Sequence, residues 1–323
     1  MKKAIRGDKM VFGLEADCVA FVLAIGVCLV NGFTDAPSSI ATVIATGTLS
    51  SRQACFISSV SNLVGLLVMS MLGGSVTKSV LSFVEFEQNA GVALCVTLLT
   101  VIVFSMLCWL FSMPSSESHA LLCAIVGVSL AMSREVSLKP FLKILAYMLI
   151  STGLVIVLSI ALSRATRSYQ LPYPKLQVAG CVISSLMHGA QDGQKLVGIM
   201  LILGVGNAKN NHIMALFLVS IALFVGTMLG GGRISELMGN GIARLSQRSG
   251  VIADTASSLC LLVCSLLGAP VSTSNVKAIA ISASAYIEGE KINKRALCGV
   301  ILVAIATIPC CVLISYAIAR LVL

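Results

Sequence analysis

Apolar segments recur along the chain at about residues 17–33, 54–74, 90–112, 144–163, 176–187, 212–230, 251–268 and 296–322. Most approach the ~20 residues that an α-helix needs to cross a bilayer's hydrocarbon core. They predict an all-α integral membrane protein, expected in the cell membrane with many crossings. Between residues 164 and 175 the pattern gives way to RATRSYQLPYPK, a polar, proline-bearing stretch that reads as a linker. It divides the chain into a first transmembrane repeat, residues 1–163, and a second, residues 176–323.

Four apolar runs break off into polar patches: Asn31–Ser39 (NGFTDAPSS), Pro114–His119 (PSSESH), His188–Lys195 (HGAQDGQK) and Pro270–Asn275 (PVSTSN). Each is followed by an apolar run of about 10–15 residues, short for a full crossing. Non-helical backbone at membrane depth is tolerated only where protein buries it or where it lines a watery cavity. Broken or re-entrant helices are therefore expected at these four places. The patches are paired: Asp35 and Asp192 lie 157 residues apart, and Pro114 and Pro270 lie 156 apart. Gly32 falls opposite Gly189, Ser116 opposite Ser272 and Ser118 opposite Ser274. Landmarks agreeing within one residue predict duplicated halves. Paired, interrupted hydrophobic segments in corresponding positions point to a transporter's binding site.

Composition supports lipid as the solvent. Of 323 residues, 57% are hydrophobic and 11% charged, with a mean hydropathy of +1.00; a soluble domain carries about 25% charged residues. The net charge of +9 comes from short basic clusters between apolar runs, among them Lys2, Lys3, Arg6 and Lys9, and Lys291, Lys294 and Arg295. That is membrane-flanking charge meeting lipid headgroups, not a nucleic-acid surface. The twelve cysteines sit mostly inside apolar runs, without the clustering a zinc site needs, and read as packing residues. The basic start leads into an apolar run that continues into a polar motif, so no cleaved leader is expected. No cofactor motif appears.

Pro114 and Pro270 are followed by Ser-Ser-Glu-Ser and Val-Ser-Thr-Ser. Proline fits the first turn of a helix, and Ser or Thr fits its N-cap. A helix starting inside the membrane aims unpaired N–H groups and its positive dipole end inward, a ready anion site. Two such starts, with Ser116, Ser118, Ser272, Thr273 and Ser274 as hydroxyl donors, could enclose a tetrahedral oxyanion. Asp35 and Asp192 would repel that anion unless a cation intervenes, and a carboxylate at membrane depth is costly and usually functional. Sodium or a proton would serve, which gives a physical reason for cotransport.

At these residues the chain resembles the inorganic phosphate transporter family. NGFTDAPSSIAT (31–42) is similar to its first signature, and HGAQDGQKLVGI (188–199) is closer to the second copy, His-Gly-Ala-Asn-Asp-Ala-Gln-Lys. Residues 114–120 and 270–276 resemble its paired Pro-x-Ser-Ser/Thr-Ser/Thr-His segments. The resemblance implies two inverted repeats of transmembrane helices, with phosphate and coupling cations near the midplane. It assigns Asp35 and Asp192 to cation sites, for which sodium is a candidate, and the hydroxyl-rich helix starts to phosphate. Gln194 and Lys195 match the Gln-Lys of the second signature. Thr34 and Gln191 replace signature asparagines at the cation positions, and Pro37 and Ser38 replace the Ala-Asn after the first aspartate. Asn275 replaces a histidine that His119 keeps. Glu117 stands where Ser or Thr is usual, and a protonated Glu117 would couple uptake to protons. Sodium and proton are thus both candidate coupling ions.

The function these readings favour is a secondary carrier importing phosphate with a cation. A carrier of sulfate or another oxyanion, an intramembrane aspartyl enzyme using Asp35 and Asp192, and a receptor or channel are the alternatives. The basic N-terminus and basic linker give no consistent orientation under the positive-inside rule. Many Gly and Ala residues would allow a homodimer.

Overall fold

The computed structural model describes residues 2–81, 90–133, 138–203, 211–230 and 232–322, with side chains described for most of those from residue 16 onward. The elements are helices: α1 (Lys2–Thr34), α2 (Pro37–Ala45), α3 (Ser51–Met71), α4 (Ser75–Leu81), α5 (Ala90–Leu110), α6 (Glu117–Ala131) and α7 (Leu138–Thr166) in the first half. The second half has α8 (Tyr173–His188), α9 (Gln194–Ile202), α10 (Asn211–Leu229), α11 (Arg233–Glu236), α12 (Gln247–Leu266), α13 (Thr273–Ile287) and α14 (Lys294–Val322). Among the described residues, seven helical stretches are long and apolar enough to cross a membrane. The predicted apolar segment at 176–187 is part of an eighth long helical path, α8 through α9, that no single α-helix spans alone. The chain is a multi-pass membrane protein.

The four polar patches behave in two ways. At the two proline segments the backbone does leave the helix. After α5, Met113 N–H reaches Cys108 O (2.9 Å) and Ser112 N–H reaches Trp109 O (2.9 Å). After α12, Ala269 N–H reaches Cys264 O (2.8 Å) and Gly268 N–H reaches Ser265 O (3.2 Å). Both are paired 6→1 and 5→2 terminations, with Ser112 (φ 58°) and Gly268 (φ 66°) in the left-handed position they require. Extended residues 113–116 and 269–272 then lead into α6 and α13.

The two aspartate signatures interrupt their helices less: the first by a two-residue turn, Asp35–Ala36, the second only by a change to π-helical winding. Asn31 O accepts from both Asp35 N–H (2.9 Å) and Ala36 N–H (3.3 Å), a single tight turn before Pro37 restarts the helix as α2. The second copy has Gln194 where the first has Pro37, so no N–H is missing. There the chain passes from α8 to α9 through one π-helical turn, Gly189–Gly193. Such π turns inside α-helices often mark functional sites.

Element lengths recur between the halves: α6 and α13 have 15 residues each, and α7 and α14 have 29 each. Packing recurs as well. Helix α1 packs on α5 and α10 as α8 packs on α12 and α3; α6 packs on α5 and α14 as α13 packs on α12 and α7. Exchanging the halves leaves this pattern unchanged, as an approximate twofold relation demands.

Glycine makes the central contacts close. A Cβ at Gly226 would lie 2.2 Å from Leu29 O, and one at Gly65 would lie 1.9 Å from Leu186 O. Only glycine lets the backbones of α1 and α10, and of α8 and α3, touch in this way. Large apolar side chains such as Met71, Phe111, Leu149 and Leu267 face outward, as a lipid solvent allows. Cys28, Cys108, Cys123, Cys260, Cys264 and Cys311 are free thiols buried among apolar neighbours, the packing role read from their positions.

Candidate functional site

The two proline-led helix starts, α6 and α13, meet the two aspartate signatures in the interior. Ser116 is the N-cap of α6 and Ser272 the N-cap of α13. Ser272 Oγ accepts from Asn275 N–H at 3.3 Å, while Ser116 Oγ lies 2.5 Å from His119 Nδ1. The next residues of α13 reach one aspartate each. Thr273 Oγ1 donates to Asp192 Oδ2 at 2.7 Å, and Ser274 Oγ donates to Asp35 Oδ1 at 3.2 Å. A single helix start therefore bridges carboxylates from both halves.

Asp192 is also bonded by Lys195 Nζ at 2.5 Å and lies 3.1 Å from His188 Nε2. Lys195 Nζ donates further to Val271 O at 2.6 Å, which ties α9 to the extended segment before α13. Ser118 Oγ reaches the same carbonyl at 3.4 Å from the opposite helix start. Gln191 Nε2 donates to Ala269 O at 3.0 Å, and its buried Oε1 has no partner. Glu117, the first residue of α6, accepts from Asn31 Nδ2 at 2.7 Å; Glu117 Oε1 and Asn31 Oδ1 are buried without hydrogen-bond partners.

Other expected residues are placed less centrally. Gln194 accepts from Val76 N–H (3.1 Å) and donates to Ala190 O (2.7 Å), so its amide joins α9 to α4. Thr34 Oγ1 donates within its own helix to Val30 O at 2.9 Å. Ser38 is buried and lines a small cavity with Thr273.

Among the described residues two small cavities border these groups, and they are counterparts. The first, of ≈ 20 Å³, is bordered by Asn31, Glu117, Ser118, Asp192 and Lys195 with apolar neighbours such as Val27 and Leu121. The second, of ≈ 10 Å³, is bordered by Ser38, Ser39, Ser184, His188, Ser257, Thr273 and Lys277. Each admits about one water-sized group. At the repeat spacing of 156 or 157 residues, Asn31 corresponds to His188, Glu117 to Thr273, Val27 to Ser184, Leu121 to Lys277 and Lys195 to Ser38. One site is thus written twice with different side chains.

Sequence reasoning missed Lys277 and underused Asn31 and Asp254. Asp254 on α12 pairs with Lys277 on α13 and accepts from Thr42 Oγ1 through both oxygens, at 2.8 and 2.9 Å. A charged residue inside each apolar run was the available signal. Their pairing joins separate helices, which no local spacing reveals. Among the described residues, four carboxyls (Asp35, Glu117, Asp192 and Asp254) and two ammonium groups (Lys195 and Lys277) are buried.

The profile of the phosphate transporter family matches residues 31–315. A protein of Bacillus subtilis named as a probable low-affinity inorganic phosphate transporter is 27% identical over 287 residues, covering 83% of this chain and 86% of its own length. A Rhizobium meliloti protein of the same name is 29% identical over 332 residues, covering 92% and 96%. Against the Mycobacterium leprae counterpart, 27% identical, the match covers 80% of this chain and 66% of that protein. Among solved structures, one titled as the sodium-dependent phosphate transporter superposes with a TM-score of 0.85 at 18% identity, covering 96% of this chain and all of that one. At that identity the likeness is one of fold.

Proposed function

Because this chain belongs to the phosphate transporter family, we propose that it is a secondary active transporter importing inorganic phosphate together with a cation. The carrying observation is that the Thr-Ser start of α13 hydrogen-bonds both signature aspartates, with the start of α6 beside it through Ser118 and Val271. Phosphate would sit between α6 and α13, against Ser116, Ser118, Ser272, Thr273 and Ser274, with the Lys195 ammonium beside it. Helix N-termini supply N–H donors and positive potential without a dedicated arginine. Gln194 contributes by holding α4 to α9.

The buried charges support cation coupling. Four carboxyls against two ammonium groups leave two negative charges uncompensated if all are ionised, and an incoming phosphate adds more. Uncompensated charge at membrane depth costs several kcal/mol per ion. Asp192 and Asp254 have lysine partners. Among the described residues, Asp35 is met by the neutral hydroxyls of Ser274 and Ser115 and Glu117 by the Asn31 amide, with no salt bridge to either. The mobile cation therefore belongs with Asp35 and Glu117. Sodium would draw on the oxygens of Asp35, Thr34, Ser38, Gln191 and Asp192, whereas a proton would sit on Glu117. The twofold relation of the halves is read as inverted, so that the site opens alternately to the two sides.

Radiolabelled phosphate uptake into proteoliposomes, with sodium and pH gradients imposed separately, tests this reading. Accumulation against a gradient driven by one of the two cations, competed by arsenate and not by sulfate, is the expected result. Competition by sulfate would make the substrate another oxyanion, and no cation-driven accumulation would remove the symport reading.

A further inference from the structure

The pair Asp254–Lys277 lies outside both aspartate signatures, and the phosphate reading makes no use of it. Asp254 is completely buried and Lys277 nearly so. Replacing a buried ion pair by apolar side chains of similar volume is often neutral or stabilising, so helix packing alone does not call for one. The first half makes this plain, because Leu98 and Leu121 stand at the positions corresponding to Asp254 and Lys277. Those two residues close the equivalent place without any charge.

The ammonium has an oxygen shell. Nζ bonds Asp254 Oδ1 and donates to Ser184 Oγ at 2.9 Å. It also borders the second cavity with Ser39, Ser257 and Thr273. Carboxylate and hydroxyl oxygens around one positive charge are the ligand set that hard cations take. Thr42, donating to both Asp254 oxygens, orients the carboxylate as an outer-sphere partner orients a metal ligand.

We propose that Lys277 is a tethered cation: its ammonium occupies a monovalent-cation site formed by Asp254, Ser184 and the hydroxyls of the second cavity. The second half then needs no mobile cation there. The consequence for coupling, one cation fewer per cycle, rests on the cotransport reading; the site itself rests on the geometry alone.

Removing the tether should uncover the site. The test is thermal unfolding of the purified full chain in detergent, in methylammonium or sodium chloride against N-methylglucamine chloride at equal ionic strength. Lys277→Ala is expected to melt lower in N-methylglucamine and to gain about 5 °C at a hundredfold excess of methylammonium or sodium over its Kd. That gain should come on top of any response of the wild type, whose Asp35 can also draw sodium, and should fall back to the wild-type level in Lys277→Ala/Asp254→Asn, in which no carboxylate remains to be paired. An equal cation response in the wild type and Lys277→Ala, or a Lys277→Ala protein that no cation recovers, would overturn the proposal. Because the readout is unfolding, a failure of phosphate uptake leaves the result interpretable.

Discussion

The two halves share a backbone plan and differ in how they handle buried charge. In the second half each buried carboxylate has its own lysine: Asp192 has Lys195 and Asp254 has Lys277. In the first half the positions matching these lysines are Ser38 and Leu121, and Asp35 and Glu117 depend on neutral donors. Corresponding positions in the two halves thus leave one half self-neutralised and the other in need of an outside charge. A carrier gains from this asymmetry, because a site that is already neutral cannot report whether a cation has arrived.

The largest expected effect separates the two aspartates. Asp35→Asn should reduce cation-driven phosphate uptake about 100-fold, as loss of a cation ligand does, while the melting temperature stays near that of the wild type. Asp192→Asn should instead destabilise the fold by about 3 kcal/mol, because Lys195 is left buried without its counter-charge. Paired uptake and unfolding measurements on both variants would break the comparison if the two profiles came out alike. Alanine at Gly226 or at Gly65 should each cost about 1–3 kcal/mol by overpacking against Leu29 or Leu186. Similar losses at the two sites would sharpen the twofold relation. Glu117→Gln should abolish any pH dependence of uptake that persists at constant sodium; a retained dependence would remove Glu117 as the proton carrier. The smallest effect is expected at Gln194→Leu, about 1 kcal/mol from the unpaired Val76 N–H, with the KM for phosphate unchanged.

Much of the fold was legible because lipid imposes a simple code. Apolar runs of spanning length marked the crossings, and Pro114 and Pro270 located the two longest interruptions at the site. The aspartate signatures misled in one respect. Their Gly, Pro and polar residues suggested two broken helices, but only the first is interrupted, by a two-residue turn before Pro37, while the second runs on through a π turn where Gln194 keeps its N–H. At the site, the hydroxyls of Thr273 and Ser274 were readable from the helix-start pattern. Which aspartate each would bond was not, because that depends on how α13 docks between the halves. Lys277 escaped notice for the same reason: a lone lysine in an apolar helix acquires meaning only when Asp254, on a neighbouring helix, comes into register with it.

The glycine contacts carry a mechanical consequence. Where Gly226 meets Leu29 and Gly65 meets Leu186, helix backbones touch with no side chain between them as a cushion. Such seams cannot slide in small steps, since any shift drives a carbonyl into the neighbouring helix. They behave as welds, making α1 with α10 and α3 with α8 two stiff beams. The non-helical segments at 113–116 and 269–272, which carry the helix starts, are bound by no such seam.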